Sequence, residues 1–169
     1  AAQGIGKAIA LEFARQKSKL IIDDLPNKQD LLEITRSEIE KLGAEVVSVL
    51  ADVRKEDEIK ALVEKTISTY GKIDVLINNA GIVYDKDWET KTEDEWKDTL
   101  ATNLVGPYLL IREAREHLIS AKGVVINISS TNAYKAMSTF SLDYDASKAG
   151  LITLTHNTAK ALSPDVRVN

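Results

Sequence analysis

Tyr144 and Lys148 stand four residues apart in an alanine- and leucine-rich stretch, and residues at i and i+4 of a helix share one face. An ammonium held beside a phenol favours the phenolate, drawing a group that ordinarily ionises near pH 10 toward neutrality, as a tyrosine acid/base requires. Alone, the pair is more often the pattern of two unconnected surface side chains. Ser129 and Ser130 follow the apolar run Val124 to Ile128. A hydroxyl there can hold a substrate oxygen while charge changes on it, although serine after a strand is also an ordinary turn or cap residue. Asn103 falls inside a long helical pattern, a poor place for asparagine by propensity, and suits a side chain recruited to satisfy backbone or water at a kink; the bland alternative is an exposed polar position.

A second set of residues has the form of a nucleotide site. Gly4-Ile5-Gly6 opens a helical pattern, where glycine lets the backbone approach a pyrophosphate and the helix start supplies free amides and a favourable dipole. A lone Gly-x-Gly is more often a tight turn. Asp24 ends the next apolar run, 18 residues after Gly6, near the spacing of about 20 at which an acid accepts hydrogen bonds from an adenosine ribose. Its charge repels a 2′-phosphate and Gln3 offers no cation to receive one, so NAD(H) is favoured over NADP(H). Asp52-Val53 and Asn78-Asn79-Ala80-Gly81 each directly follow a further apolar run; small and amide residues there suit close approach to a planar ligand, or an ordinary turn.

The elements that must position these residues alternate. Helical periodicity runs from Ile5 to Phe13, from Leu31 to Leu42, and over Ile59 to Ile67; Gly43 and Gly71 mark the ends of the last two. Short apolar runs at 20–22, 46–50, 75–77, 124–128 and 166–168 read as buried strands of a parallel sheet. Thr92 and Glu95 form a capping box, from which one long helix is expected through Leu118, kinked at Gly106-Pro107 where proline removes a donor. A loop then spans 129–142, and the Tyr144 helix runs from Asp143 to Leu162. Strands separated by helices pair in parallel through right-handed crossovers, giving a doubly wound, three-layer α/β domain over 1–169. Ligands of such sheets bind past the carboxyl ends of the strands, where the residues singled out above fall.

Composition narrows the function classes. The chain has 169 residues, a formal net charge of −4, no cysteine and two histidines. The charge is spread without a basic block, so nucleic acid is not an expected partner. Disulfides and thiolate metal sites are excluded and a histidine-rich centre is hard to build, so no metal is expected. With no secretory pattern and no apolar run near the roughly 20 residues that span a bilayer, a soluble cytoplasmic protein is expected.

Taken in order, Gly4-Ile5-Gly6, Asp52-Val53, Asn78-Asn79-Ala80-Gly81, Asn103, Ile128-Ser129-Ser130, Tyr144-Asp145-Ala146-Ser147-Lys148 and Arg167-Val168-Asn169 resemble the short-chain dehydrogenases/reductases. The resemblance covers essentially the whole chain and rests on the conjunction. It implies a Rossmann-like fold and hydride transfer between a nicotinamide cofactor and a small-molecule carbonyl or secondary alcohol, as in 3-oxoacyl reductases or sugar and polyol dehydrogenases. Tyr144 is then the general acid/base, and Lys148 lowers its pKa and binds the nicotinamide ribose. Ser130 orients the substrate oxygen, and Asn103 holds a water that relays protons from Lys148. Asp52 contacts adenine, Asn79 to Gly81 line the cofactor and Asp24 binds ribose. A homo-oligomer, dimer or tetramer, is implied, built on the helices carrying Asn103 and Tyr144. Thirteen residues lie between Ser130 and Tyr144, one more than is common in the family, so the loop carries an insertion; Ser130 is still preferred to Ser129. The family's first strand and first motif glycine, and its closing C-terminal segment, are expected to lie outside this sequence. A non-catalytic nucleotide-binding protein or inactive family fragment is therefore the second reading, and a flavodoxin-like or response-regulator domain a distant third.

Overall fold

Small residues at i, i+4 and i+8 let the first helix, α1 (Gly4–Arg15), lie close to its neighbours: Gly6, Ala10 and Ala14 are its buried positions in a computed structural model that describes residues 1–135 and 138–169. Two compact units divide the chain, 1–71 and 72–169.

In the first unit α1 starts abruptly. Gln3 is extended and Gly4 takes φ +60° with nothing near the position of a Cβ, so it is the left-handed backbone and not space that calls for glycine there. Strand β1 (Leu20–Asp24) pairs in parallel with β2 (Val46–Leu50), Leu20 opposite Val46 and Asp24 opposite Leu50. Between them α2 (Gln29–Lys41) buries Leu32, Thr35 and Ile39. Leu32, Ile39, Ile22 and the alanines of α1 share one core cluster, each large aliphatic contributing about 2 kcal/mol by leaving water. The last helix of the unit, α3 (Glu56–Tyr70), opens on Glu56, Asp57 and Glu58, whose charge complements the positive end of the helix dipole. Gly43 and Gly71 both take φ +78° after their helices, as expected of αL terminators. Lys17 does the same at φ +59° after α1 without glycine's freedom.

The second unit holds a parallel sheet in the order β3 (Val75–Asn78), β4 (Val124–Asn127), β5 (Arg167–Val168). Asn78 lies opposite Asn127 at the carboxyl ends of β3 and β4. The capping box at Thr92 and Glu95 is present. The long helix expected after it is present as contiguous segments, α4 (Glu93–Leu100) and α5 (Gly106–Ala121) joined by a π-helical turn over Ala101–Val105 with right-handed helical backbone at both junctions. The irregular turn thus directly precedes Gly106-Pro107, and proline, which has no N–H to give to the ladder, follows it in the first turn of α5. After the loop, α6 (Leu142–Leu162) carries Tyr144 and Lys148.

Gly123 enters β4 so tightly that a Cβ would lie 2.9 Å from the Asp74 carbonyl oxygen and 3.1 Å from Leu118 Cδ2. The Asp74 carbonyl accepts the Val124 N–H at 2.9 Å, so it cannot retreat without breaking the β3–β4 ladder. Gly123→Ala is expected to cost about 1–3 kcal/mol, the range for overpacking, read as a lower urea midpoint at unchanged m-value.

Candidate active site

The π-turn decides where Asn103 points. Its side chain is fully buried and clamps the backbone beyond the Asn-Asn-Ala-Gly loop: Oδ1 accepts the Ile82 N–H at 2.8 Å and Nδ2 donates to the Ile82 carbonyl at 2.9 Å. Nδ2 also donates to Ser147 Oγ at 3.0 Å, and that hydroxyl donates to the Tyr144 carbonyl at 2.6 Å. One amide therefore ties the loop after β3 to the helix carrying Tyr144. Ser147 belongs to the motif but had no role from sequence.

Lys148 is buried, and its Nζ donates to the Ile128 carbonyl at 2.7 Å. The ammonium lies 5.7 Å from the Tyr144 ring centroid, so the i, i+4 pairing read from the sequence is formed. Burial pushes Lys148 below the usual lysine range. Gly81 closes the same cluster: a Cβ there would meet Asn103 Oδ1 at 3.4 Å and Lys148 Nζ at 3.5 Å. Only glycine leaves that space open, while Ala80 and Gly81 are exposed and Asn79 half-buried. The loop thus presents bare backbone beside a buried cation.

The two serines divide their work. Ser129 Oγ donates to the Lys148 carbonyl at 3.0 Å, fastening the end of β4 to α6. Ser130 caps the short turn Thr131–Ala133, its Oγ accepting the Asn132 N–H at 3.2 Å, which leaves the hydroxyl proton available. Asn132 in turn donates to Asp145 of α6 at 2.8 Å. Below the rim Asn78 Nδ2 donates to Asn127 Oδ1 at 2.7 Å, and Asn127 Nδ2 to Thr155 Oγ1 at 2.9 Å. The buried Asn78 Oδ1 has no hydrogen-bond partner among the described residues.

The nucleotide-type residues Gly4, Ile5, Gly6, Asp24, Asp52 and Val53 lie in the first unit. The start of α1 has no side-chain cap, and Ile5 is exposed beside it, so amides at this helix start remain to be satisfied. Asp24 Oδ2 accepts the Ala2 N–H at 2.8 Å. Burial pushes this carboxyl up, and the Ala2 and Leu25 amides draw it down. Asp52 is gripped by Arg54, with Nε at 2.9 Å and Nη2 at 2.7 Å, a fork that holds its carboxyl low. Its own N–H donates to Glu58 at 2.7 Å, and Val53 is buried beside it.

A family model described as short chain dehydrogenase matches residues 1–169. The chain is 38% identical over 163 residues to an uncharacterized oxidoreductase of Thermotoga maritima, covering 95% of this chain and 62% of that protein. It is 34% identical over 169 residues to the 3-oxoacyl-[acyl-carrier-protein] reductase FabG of Staphylococcus aureus, covering 96% and 66%. The chain thus spans less than two thirds of the length of these curated relatives. A metagenomic short-chain oxidoreductase solved in complex with NADP aligns with a TM-score of 0.92 and 34% identity over 99% of this chain and 76% of that one. An NAD+-bound xylitol dehydrogenase aligns with a TM-score of 0.93 and 27% identity over 100% and 65%. The fold class is the Rossmann-like α/β one expected, with parallel strands and helical connections.

Proposed function

Because the chain belongs to the short-chain dehydrogenase family, we propose that it is a nicotinamide-dependent oxidoreductase interconverting a secondary alcohol and a carbonyl. The observation that carries this reading is the buried Lys148 ammonium, 5.7 Å from the Tyr144 ring and facing the open backbone of Gly81. Each unit taken by itself has residues that suit part of a nicotinamide nucleotide: in 72–169, Gly81 leaves open the space a Cβ would take beside Asn103 Oδ1 and Lys148 Nζ, and in 1–71 the uncapped start of α1 suits a pyrophosphate. That cofactor, when bound, supplies or accepts the hydride.

The chain's own residues handle the proton. Tyr144 gives its phenolic proton to the carbonyl oxygen during reduction and takes it back during oxidation. Lys148 stabilises negative charge on that oxygen and has donors beyond its single bond to Ile128 for the nicotinamide ribose. Ser130 donates its free hydroxyl hydrogen to the substrate oxygen. Asn103 holds the Gly81–Ile82 backbone in place and, in this reading, the water that returns protons to Lys148. Gly4, Ile5 and Gly6 receive phosphate, Asp24 the ribose hydroxyls, and Asp52, Val53, Asn79 and Ala80 line the nucleotide.

Two substrate classes follow from the relatives: 3-oxoacyl thioesters and polyols. NADH-linked reduction of acetoacetyl-coenzyme A and NAD+-linked oxidation of xylitol test them, and a rate on neither that exceeds background would count against the oxidoreductase reading. Asp24 makes NAD(H) the preferred cofactor, since a carboxylate beside the ribose repels a 2′-phosphate. Fluorescence titration is expected to show NADH binding more tightly than NADPH, with the gap narrowing about tenfold in Asp24→Ala, a loss of about 1.4 kcal/mol of discrimination. Tighter NADPH binding by the wild type would overturn the assignment of Asp24.

A further inference from the structure

Asp143 immediately precedes Tyr144, and its carboxylate is fully buried. Its Oδ1 takes the Lys91 ammonium in a close ion pair in which neither side chain has any exposed surface. Its Oδ2 takes the Thr99 hydroxyl at 2.7 Å. Lys91 directly precedes the capping residue of α4, and Thr99 lies on α4 itself. One carboxylate therefore binds two points of α4 and its entry to the first turn of α6, from partners 52 and 44 residues away.

A buried ion pair is a poor device for stability, because desolvating both charges cancels most of their attraction and an apolar pair of similar volume serves as well or better. What it offers is directional restraint. Resting on the assignment of Tyr144 as acid/base, we propose that Asp143, Lys91 and Thr99 are positioning residues that fix the Tyr144 phenol relative to the Lys148 ammonium. They hold the entry of the helix, Ser147 and Asn103 hold its next turn, and the phenol is set between the two anchors. Burial pushes the Asp143 carboxyl up, but Lys91, Thr99 and the Tyr144 N–H together hold it below the usual range, so the restraint is charged at any neutral pH.

The test uses Lys91→Met/Asp143→Asn, which removes both charges together and strands neither, and Thr99→Val, which removes one hydrogen bond and keeps the ion pair. Two readouts are taken on protein with wild-type circular dichroism. The first is kcat and the KM for NADH in acetoacetyl-coenzyme A reduction. The second needs no turnover: the rate at which tetranitromethane nitrates Tyr144, followed on its peptide, with exposed Tyr134 as internal reference. The double variant is expected to lose about 10- to 100-fold in kcat, the scale of a misplacement of an ångström or less, with the KM for NADH unchanged within about twofold. Nitration of Tyr144 is expected to slow about fivefold or more as the ring moves from its place 5.7 Å from the Lys148 ammonium, while Tyr134 is unaffected. Asp143→Glu, keeping the carboxylate, is expected to recover part of both. A loosened helix without a positioning role would expose Tyr144 and speed nitration, so an unchanged or faster reaction in the double variant overturns the proposal. Should that variant fail to fold, Thr99→Val decides by the same readout, with a smaller slowing expected and none overturning it. Tyr144→Phe separates the two failures: full turnover in that variant would remove the acid/base assignment itself, whatever Asp143 does.

Discussion

Tyr144→Phe is expected to lower carbonyl reduction by about 10²- to 10⁴-fold, the usual contribution of a positioned general acid, while NADH binds within about twofold of wild type. The substitution removes one oxygen and leaves the ring that lies 5.7 Å from Lys148 Nζ, so packing of the half-buried ring is retained. Among the described residues the Tyr144 hydroxyl has no hydrogen-bond partner, and its residue's tie to Asn103 runs through the backbone carbonyl and Ser147. Stability should accordingly stay within about 0.5 kcal/mol, as for substitutions that break no buried bond. The measurement is steady-state kinetics with a parallel NADH titration. A rate within threefold of wild type would remove the phenol from the mechanism. A rate loss accompanied by equal loss of NADH affinity would recast Tyr144 as a binding residue.

How far this site was legible in the sequence depends on the distance over which each feature acts. The Tyr144–Lys148 pair was legible because helical spacing alone puts the two side chains on one face. The capping box at Thr92 and the glycine ends of α2 and α3 are likewise local backbone chemistry, and all stand where expected. The π-turn at 101–105 was not legible: its residues Ala101 to Val105 carry no proline or glycine, and the irregularity was expected at the nearby Gly106-Pro107 instead. What makes the π-turn worth its distorted ladder is a contact with Ile82, 21 residues away, which periodicity does not report.

The same limit explains Asp143. In sequence it is one more acidic residue at a helix start, a place where carboxylates commonly sit in water for the sake of the helix dipole. Only the fold brings Lys91 and Thr99 to it. The choice between Ser129 and Ser130 shows the reverse case, a preference read from the motif for which the fold supplies a separate hydrogen-bonding argument. The one-residue insertion before Tyr144 spoke for neither serine, whereas in the structure Ser129 spends its proton on the Lys148 carbonyl. Local rules thus placed the chemical groups, and contacts between segments distant in sequence determine which of those groups are left free to act.

Lys148→Met is expected to move activity and stability in opposite directions, which makes it the sharper test of a site held for function. Turnover should fall by about 10²- to 10³-fold, the range for removing one charged or donor group that stabilises developing negative charge. Stability should not fall. The ammonium is buried, makes one bond to the Ile128 carbonyl at 2.7 Å, and has no carboxylate within salt-bridge distance among the described residues, so it is desolvated without an ionic partner. Its folded pKa lies below the ordinary 10.5 because of that burial. Between the two values the unfolded chain binds more protons than the folded one, so wild-type stability rises as pH climbs through that window. Below the folded value the burial penalty is present in full. Methionine fills nearly the same volume without the charge, so at pH 7.5 the variant should unfold at an equal or higher urea concentration than wild type. The difference should shrink as both approach pH 10. Unfolding curves at the two pH values give the comparison, with other titrating groups cancelling between the two proteins. A variant less stable than wild type by more than about 1 kcal/mol at pH 7.5, the worth of a typical hydrogen bond, would mean that Lys148 is kept for its bond to the end of β4. An equal or more stable but inactive variant would mean that the folded chain sustains a buried, unpaired ammonium because the chemistry at Tyr144 requires one.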